Sequence, residues 1–140
     1  MFNESTRPGA TGPLDPSLSD HDLAQLARSD EAKVRAGVAS HANTPMTILL
    51  QLARDEAHPV RAGLARNPRK DIPEEVLRDL AADLSPDVVL ALISNDAVPD
   101  SVIARILRGK HKEAYGPAKA RLAKNGTKTG LLGSLASLRG

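Results

Sequence analysis

The chain has 140 residues, 41% of them hydrophobic, and a net charge of +2; that length suits one domain with a modest core. It contains no cysteine and no tryptophan, one Phe (Phe2) and one Tyr (Tyr115), which excludes disulfides, thiolate metal sites, iron–sulfur clusters, a cysteine nucleophile and recognition built on aromatic stacking. The charge is divided: residues 1–100 hold 10 Lys/Arg against 16 Asp/Glu, a balance of −6, and residues 101–140 hold 9 against 1, a balance of +8, so an acidic body precedes a basic tail.

Residues 1–17 are rich in Pro, Gly, Ser and Thr and lack periodicity, as expected of a flexible N-terminal arm. The first residues show neither the basic nor the apolar region of a signal peptide. No apolar run reaches the ~18–20 residues that span a bilayer, so no membrane partner is expected and the expected location is cytoplasmic.

Residues 18–110 are repetitive. Leu26-Ala27, Leu52-Ala53 and Leu80-Ala81 recur at spacings of 26 and 28, and Ile106-Leu107 fills the slot again after 26. Val34, Val60 and Val88 each follow the dipeptide by eight residues. Val34-Arg35-Ala36-Gly37-Val38-Ala39 and Val60-Arg61-Ala62-Gly63-Leu64-Ala65 are nearly the same hexapeptide. Each unit reads as two short helices. The first opens at Pro45, Pro73 or Pro99, with proline expected at the first helical position, Thr44 as an N-cap, and a Ser19/Asp22 capping box in the first unit. Its apolar residues share one face: Ile48, Leu49 and Leu52; Val76, Leu77 and Leu80; Val102, Ile103 and Ile106. The second helix carries Val34 with Val38, Val60 with Leu64, or Val88 with Leu92. Gly37, Gly63 and Ala91 share one slot, which predicts a close backbone approach between layers, since glycine costs a helix ~1 kcal/mol relative to Ala. His41, Asn67 and Asn95 share the closing position. No segment alternates with period two. The fold class is therefore all-α: a short right- or left-handed helical-repeat solenoid of about three and a half two-helix repeats. Leu14 and Leu18 are expected to cover one end and residues 117–125, as a short helix, the other.

The stretch Val60-Arg61-Ala62-Gly63-Leu64-Ala65-Arg66-Asn67-Pro68, together with the leucine-rich run ending in Leu52-Ala53-Arg54-Asp55, resembles the leucine-rich repeat variant family over residues 19–110. The resemblance implies a solenoid of alternating α- and 3₁₀-helices and a role in interaction. The cysteine cluster of some relatives is missing, so no iron–sulfur site carries over, and no catalytic residue is implied.

No residues assemble into a convincing active site. Asp55-Glu56-Ala57-His58 spells a helicase-type box, yet no phosphate loop accompanies it, and by register it is an inter-helix turn. His21, His41, His58 and His111 include no i, i+4 pair, so no metal is expected. The pairs Asp30-Glu31, Asp55-Glu56 and Glu74-Glu75 recur at turns, as solvated caps do. No cofactor is expected, and the chain is read as not an enzyme. The binding candidates are basic. Arg35 and Arg61 occupy one register position, with Arg66 and Arg69 close behind. They read either as a solvated face whose stems cover apolar surface or as a ladder for an acidic peptide or a phosphate backbone. Residues 111–140 form the basic C-terminal tail, where Lys119, Arg121 and Lys124 suit nucleic-acid phosphates. The acidic body opposes that reading. Residues 130–140 carry Leu132, Leu135 and Leu138 at every third position and resemble the C-terminal loading peptides by which cargo docks inside encapsulin shells. The alternative is a terminal segment folded back over the end of the solenoid or left disordered. The expected function is a non-enzymatic protein–protein interaction scaffold with a C-terminal tail for anchoring or docking; nucleic-acid binding through the tail is the alternative.

Overall fold

The computed structural model describes residues 13–129, with side chains to residue 126. Among these residues the fold is all-helical, as expected, and no strand occurs. Eight α-helices follow one another: α1 (Asp20–Leu26), α2 (Ala32–Ser40), α3 (Met46–Leu52), α4 (His58–Ala65), α5 (Glu74–Ala81), α6 (Pro86–Ile93), α7 (Asp100–Ile106) and α8 (Tyr115–Thr129). A 3₁₀ turn, Lys112–Ala114, leads into α8. Both helices of each pair are α-helices, where the family resemblance implied one 3₁₀-helix. α8 is longer than the short helix expected over residues 117–125.

Local chemistry accounts for the helix starts. Ser19 caps α1 in a full capping box: its hydroxyl accepts from the Asp22 N–H, and the Asp22 carboxylate accepts from the Ser19 N–H. Pro45, Pro73 and Pro99 stand at the N-cap of α3, α5 and α7, one position earlier than expected, with ψ near 140–150°. An extended proline there delivers the chain into the helix and has no N–H to leave unsatisfied. Thr44 is consequently not a cap. It is fully buried and its hydroxyl donates to the Val38 carbonyl at 2.7 Å. Glu74, Glu75, Asp87 and Asp100 place negative charge in first turns, where the helix dipole favours it.

α2 lies on α4 and α4 on α6; α5 lies on α7; α8 packs against α7 and α6. Val34, Val60 and Val88 are all buried. Leu52, Leu80 and Ile106 are buried too. Leu26, expected in the same column, is only half-buried and packs at the edge of the core. The close approach expected at the glycine slot occurs at Gly63, where a Cβ would stand 2.5 Å from the Ala36 carbonyl oxygen. At Gly37 the neighbour is the Leu14 side chain, whose Cγ would be 2.9 Å away. Leu14 and Leu18 pack against the core at one end and Ala118 of α8 is fully buried at the other. No helix among the described residues is long and apolar enough to cross a membrane.

Two ladders of side-chain hydrogen bonds run along the chain. In the first, the amide of Asn67, fully buried, donates to the carbonyls of Ala39 (2.9 Å) and His41 (3.0 Å) and accepts from the Arg69 N–H (3.0 Å). One repeat on, Asn95 donates to Ala65 and Asn67, both at 2.8 Å, and accepts from the Ala97 N–H. One repeat back, His41 meets the Asp15 carbonyl through Nε2 at 2.9 Å and accepts from the Asn43 N–H at Nδ1, a pairing that requires the neutral Nε2–H tautomer. Arg121 of α8 closes the series on the Ile93 (2.9 Å) and Asn95 (2.8 Å) carbonyls, with further bonds to Leu92 and Val98. In the second ladder Arg35 and Arg61 donate through Nη1 to the carbonyls of Ser29 (2.8 Å) and Asp55 (2.7 Å). The register position after Arg61 is Val89, which has no donor, and His111 serves the Asp83 carbonyl instead at 2.7 Å. The Tyr115 hydroxyl donates to Gly109, the next carbonyl in register. Each bond of this kind contributes about 0.5–1.5 kcal/mol net; in the first ladder, and at His111, the accepting carbonyls lie 23–30 residues away, whereas Arg35, Arg61 and Tyr115 bind carbonyls six residues back.

Candidate binding groove

The ladders decide which cations remain available. Arg35 forks onto Asp55 (Nε–Oδ2 2.8 Å, Nη2–Oδ1 3.1 Å) and Arg61 forks onto Asp83 (2.7 and 3.0 Å). Their side chains are 16% and 18% exposed. The two arginines do form a register ladder, but it faces the protein's own carboxylates. The expectation that it meets an acidic peptide or a phosphate backbone gives way to this, because the planar fork that would grip such a ligand is already filled. The Arg35 hydrogen bond, then the Ala57 N–H, holds the Asp55 carboxyl below its usual range against the opposing effect of burial. For Asp83 burial pushes upward most strongly, yet the bonds from Arg61 and the Ser85 N–H together outweigh it and the carboxyl also lies low. Both arginines are correspondingly raised, chiefly by those hydrogen bonds.

Arg69 is engaged as well. It forks onto Asp71 (2.8 and 2.7 Å) and donates to the Thr44 carbonyl at 2.6 Å. Arg121, expected to face nucleic-acid phosphates, points inward with a side chain only 9% exposed; its carbonyl partners and Asp100, 3.6 Å away, absorb it. Lys119 and Lys124 are exposed on α8. Leu132, Leu135 and Leu138 lie outside the described residues, as does most of the N-terminal arm. Of the histidines, His21 and His58 are exposed, while His41 and His111 belong to the ladders. Among the described residues no three His, Cys, Asp or Glu side chains gather as a metal site would need.

Arg66 differs from its neighbours. It is exposed and meets no carboxylate among the described residues. It borders a groove of about 710 Å³, which crosses three helices: Lys33 and Ala36 from α2, His58, Pro59 and Ala62 from α4, and Asp87, Leu90 and Ala91 from α6, with Arg66 and Ser94 at the far rim. A second hollow adjoins it, sharing Arg66 and Ser94 and adding Lys70 and Asp96. The trough exists because register positions Ala36 and Ala62 carry only a methyl group. The close packing at Gly63 brings α2 and α4 together beneath it.

Sequence reasoning reached Arg66 but missed Lys33, His58 and Asp87. A signal was present: each lies six or seven residues after its Leu slot, so the three project from neighbouring register positions. It also took Asp55 for a solvated cap. Asp55 does accept from the Ala57 N–H at 2.9 Å, but its recurrence as Asp83, three residues after the Leu slot, marked it as the partner of the recurring arginine. Comparison with family models, with curated proteins and with solved structures gives no match.

Proposed function

We propose that this chain is a non-enzymatic protein–protein interaction scaffold of the helical-repeat type, a short solenoid whose α2–α4–α6 face holds a segment of a partner protein. The observation that carries this reading is the separation of its polar groups. Arg35, Arg61, Arg69 and Arg121 are bound to the chain's own carboxylates and carbonyls. Lys33 and Arg66 stand free around an open trough with an apolar floor. Pockets with an apolar floor and a few polar groups at the rim suit ligand segments. The resemblance to the leucine-rich repeat variant family supports the same role, and the cysteine-free composition fits a reducing, cytoplasmic setting. In this reading residues 130–140 anchor or dock the scaffold. Partner capture by the immobilised full chain tests it. Capture should survive nuclease and fall sharply in a Leu90→Asp variant, which puts a charge on the trough floor without touching either ladder. Capture unaffected by Leu90→Asp would refute the assignment.

One feature favours nucleic-acid binding as a second reading. Arg105, Arg108, Lys110, Lys112, Lys119 and Lys124 are all exposed, with Glu113 the one acid between residues 105 and 124. Binding of this kind weakens log-linearly with salt. Replacing Lys119 and Lys124 with Ala should flatten that slope, while no binding to DNA or RNA at low salt removes the reading.

A further inference from the structure

Resting on the proposed interaction role, we infer that the α2–α4–α6 groove takes an extended, acidic peptide segment in one orientation. Its charge is laid out by layer. The first two helix pairs contribute Lys33 from α2, Arg66 from the end of α4 and Lys70 from the loop beyond. The third contributes Asp87 from α6 and Asp96 from the loop after it. Lys33, Arg66, Lys70, Asp87 and Asp96 are exposed, and none of their side chains has a hydrogen-bond or ion-pair partner among the described residues. The groove thus runs from positive to negative along the stacking direction, with Ala36, Ala62 and Leu90 between.

Helices packed 8–10 Å apart put α2 and α6 roughly 20 Å from each other, a distance that about six extended residues cross. A segment lying across the helices would set carboxylates over Lys33 and Arg66, small apolar residues over Ala36 and Ala62, and a cation or amide donors toward Asp87. Reversing it would put carboxylates against Asp87 and Asp96, and like-charge contacts of that kind select orientation more than they set affinity.

The probe is a random display library, each member about twelve residues long and so able to overspan the roughly 20 Å crossing, selected on the immobilised full chain at moderate salt. Enriched peptides should be rich in Asp and Glu toward one end, and a synthetic copy should bind tighter than the same peptide with its sequence reversed. Arg66→Glu should weaken that copy by about fivefold or more, given the usual strength of exposed charge pairs with reversal doubling the effect. Selection repeated on Arg66→Glu should shift the enriched residues toward Lys and Arg. Arg66 is exposed and joins neither ladder, so this variant folds; circular dichroism verifies it. Enriched peptides that are neutral or basic, or that ignore Arg66→Glu, overturn the acidic inference while leaving an interaction groove in place. No enrichment at all overturns both. Self-association of the chain lost in Arg66→Glu would give the groove to a second copy and equally overturn the inference.

Discussion

Replacing Asn67 with Ala removes the central rung of the amide ladder. Three bonds disappear together: the two from its amide to the Ala39 and His41 carbonyls and the one it accepts from the Arg69 N–H. Asn67 is wholly shielded from water, as is Ala39, so water does not readily replace the lost partners. A buried backbone group left unpaired costs about 1–3 kcal/mol. The His41 carbonyl keeps its bond from the Thr44 N–H, which leaves the Ala39 carbonyl and the Arg69 N–H as the main losses. The expected destabilisation is about 3–4 kcal/mol. For a domain of this size, a urea slope near 1.5 kcal/mol/M turns this into a midpoint lower by about 2 M. Asn67→Asp should be worse at neutral pH. It keeps the acceptor for Arg69 but aims an unpaired buried charge at two carbonyl oxygens. Urea unfolding followed by circular dichroism orders the three proteins. A loss under about 0.5 kcal/mol for Asn67→Ala, well below the cost of one unpaired buried group, or an Asp variant as stable as the Ala variant, would refute the ladder's role.

Other outcomes follow from the same geometry. Gly63→Ala should cost about 1–3 kcal/mol, because its Cβ meets backbone rather than a movable side chain; Gly116→Ala, with open space around it, should be neutral or slightly stabilising in the same melts. Arg121→Ala should lower the melting midpoint by several degrees by freeing the Ile93 and Asn95 carbonyls, whereas Lys119→Ala on the same helix should leave it nearly unchanged; equal effects would contradict the inward placement of Arg121. Asp55 and Asp83 titrate below their unfolded value near 3.9. Their contribution is therefore complete above about pH 4 and lost as pH falls through the lower folded values. An Asp55→Asn/Asp83→Asn double variant should be less stable at pH 7 and show a shallower loss between about pH 4 and 2; parallel curves would contradict the pairing.

The helical class was legible because the apolar residues follow a helical spacing, and the buried positions Leu52, Leu80, Val34, Val60 and Val88 were legible because that spacing recurs in the sequence. The Ser19/Asp22 box was legible for the same local reason. What eluded sequence reasoning was where polar side chains turn. Arg35 and Arg61 have the same composition and spacing whether they point at solvent or at Asp55 and Asp83, and only the packing that brings partners 20 and 22 residues apart together decides it. Asn67 and Asn95 read as helix terminators because that is what Asn does locally, whereas their amides act across layers on carbonyls 26–30 residues away. Arg121 stood in a run of lysines and looked like one of them. Its placement follows from α8 closing the stack, which presents open carbonyls at positions 93 and 95. The groove was hidden because it is defined by small residues on three helices, and a trough appears only once these are side by side.

Backbone amide shifts of the labelled full chain, titrated with an acidic peptide enriched on it, test the central claim most directly. The account predicts that shifts concentrate on α2, α4 and α6, strongest around Lys33, Ala62, Arg66 and Leu90, and vanish in Arg66→Glu with the fold unchanged. Shifts confined to α8 or to α1, α3 and α5, or a peptide that binds without perturbing the α2–α4–α6 groove, would contradict it.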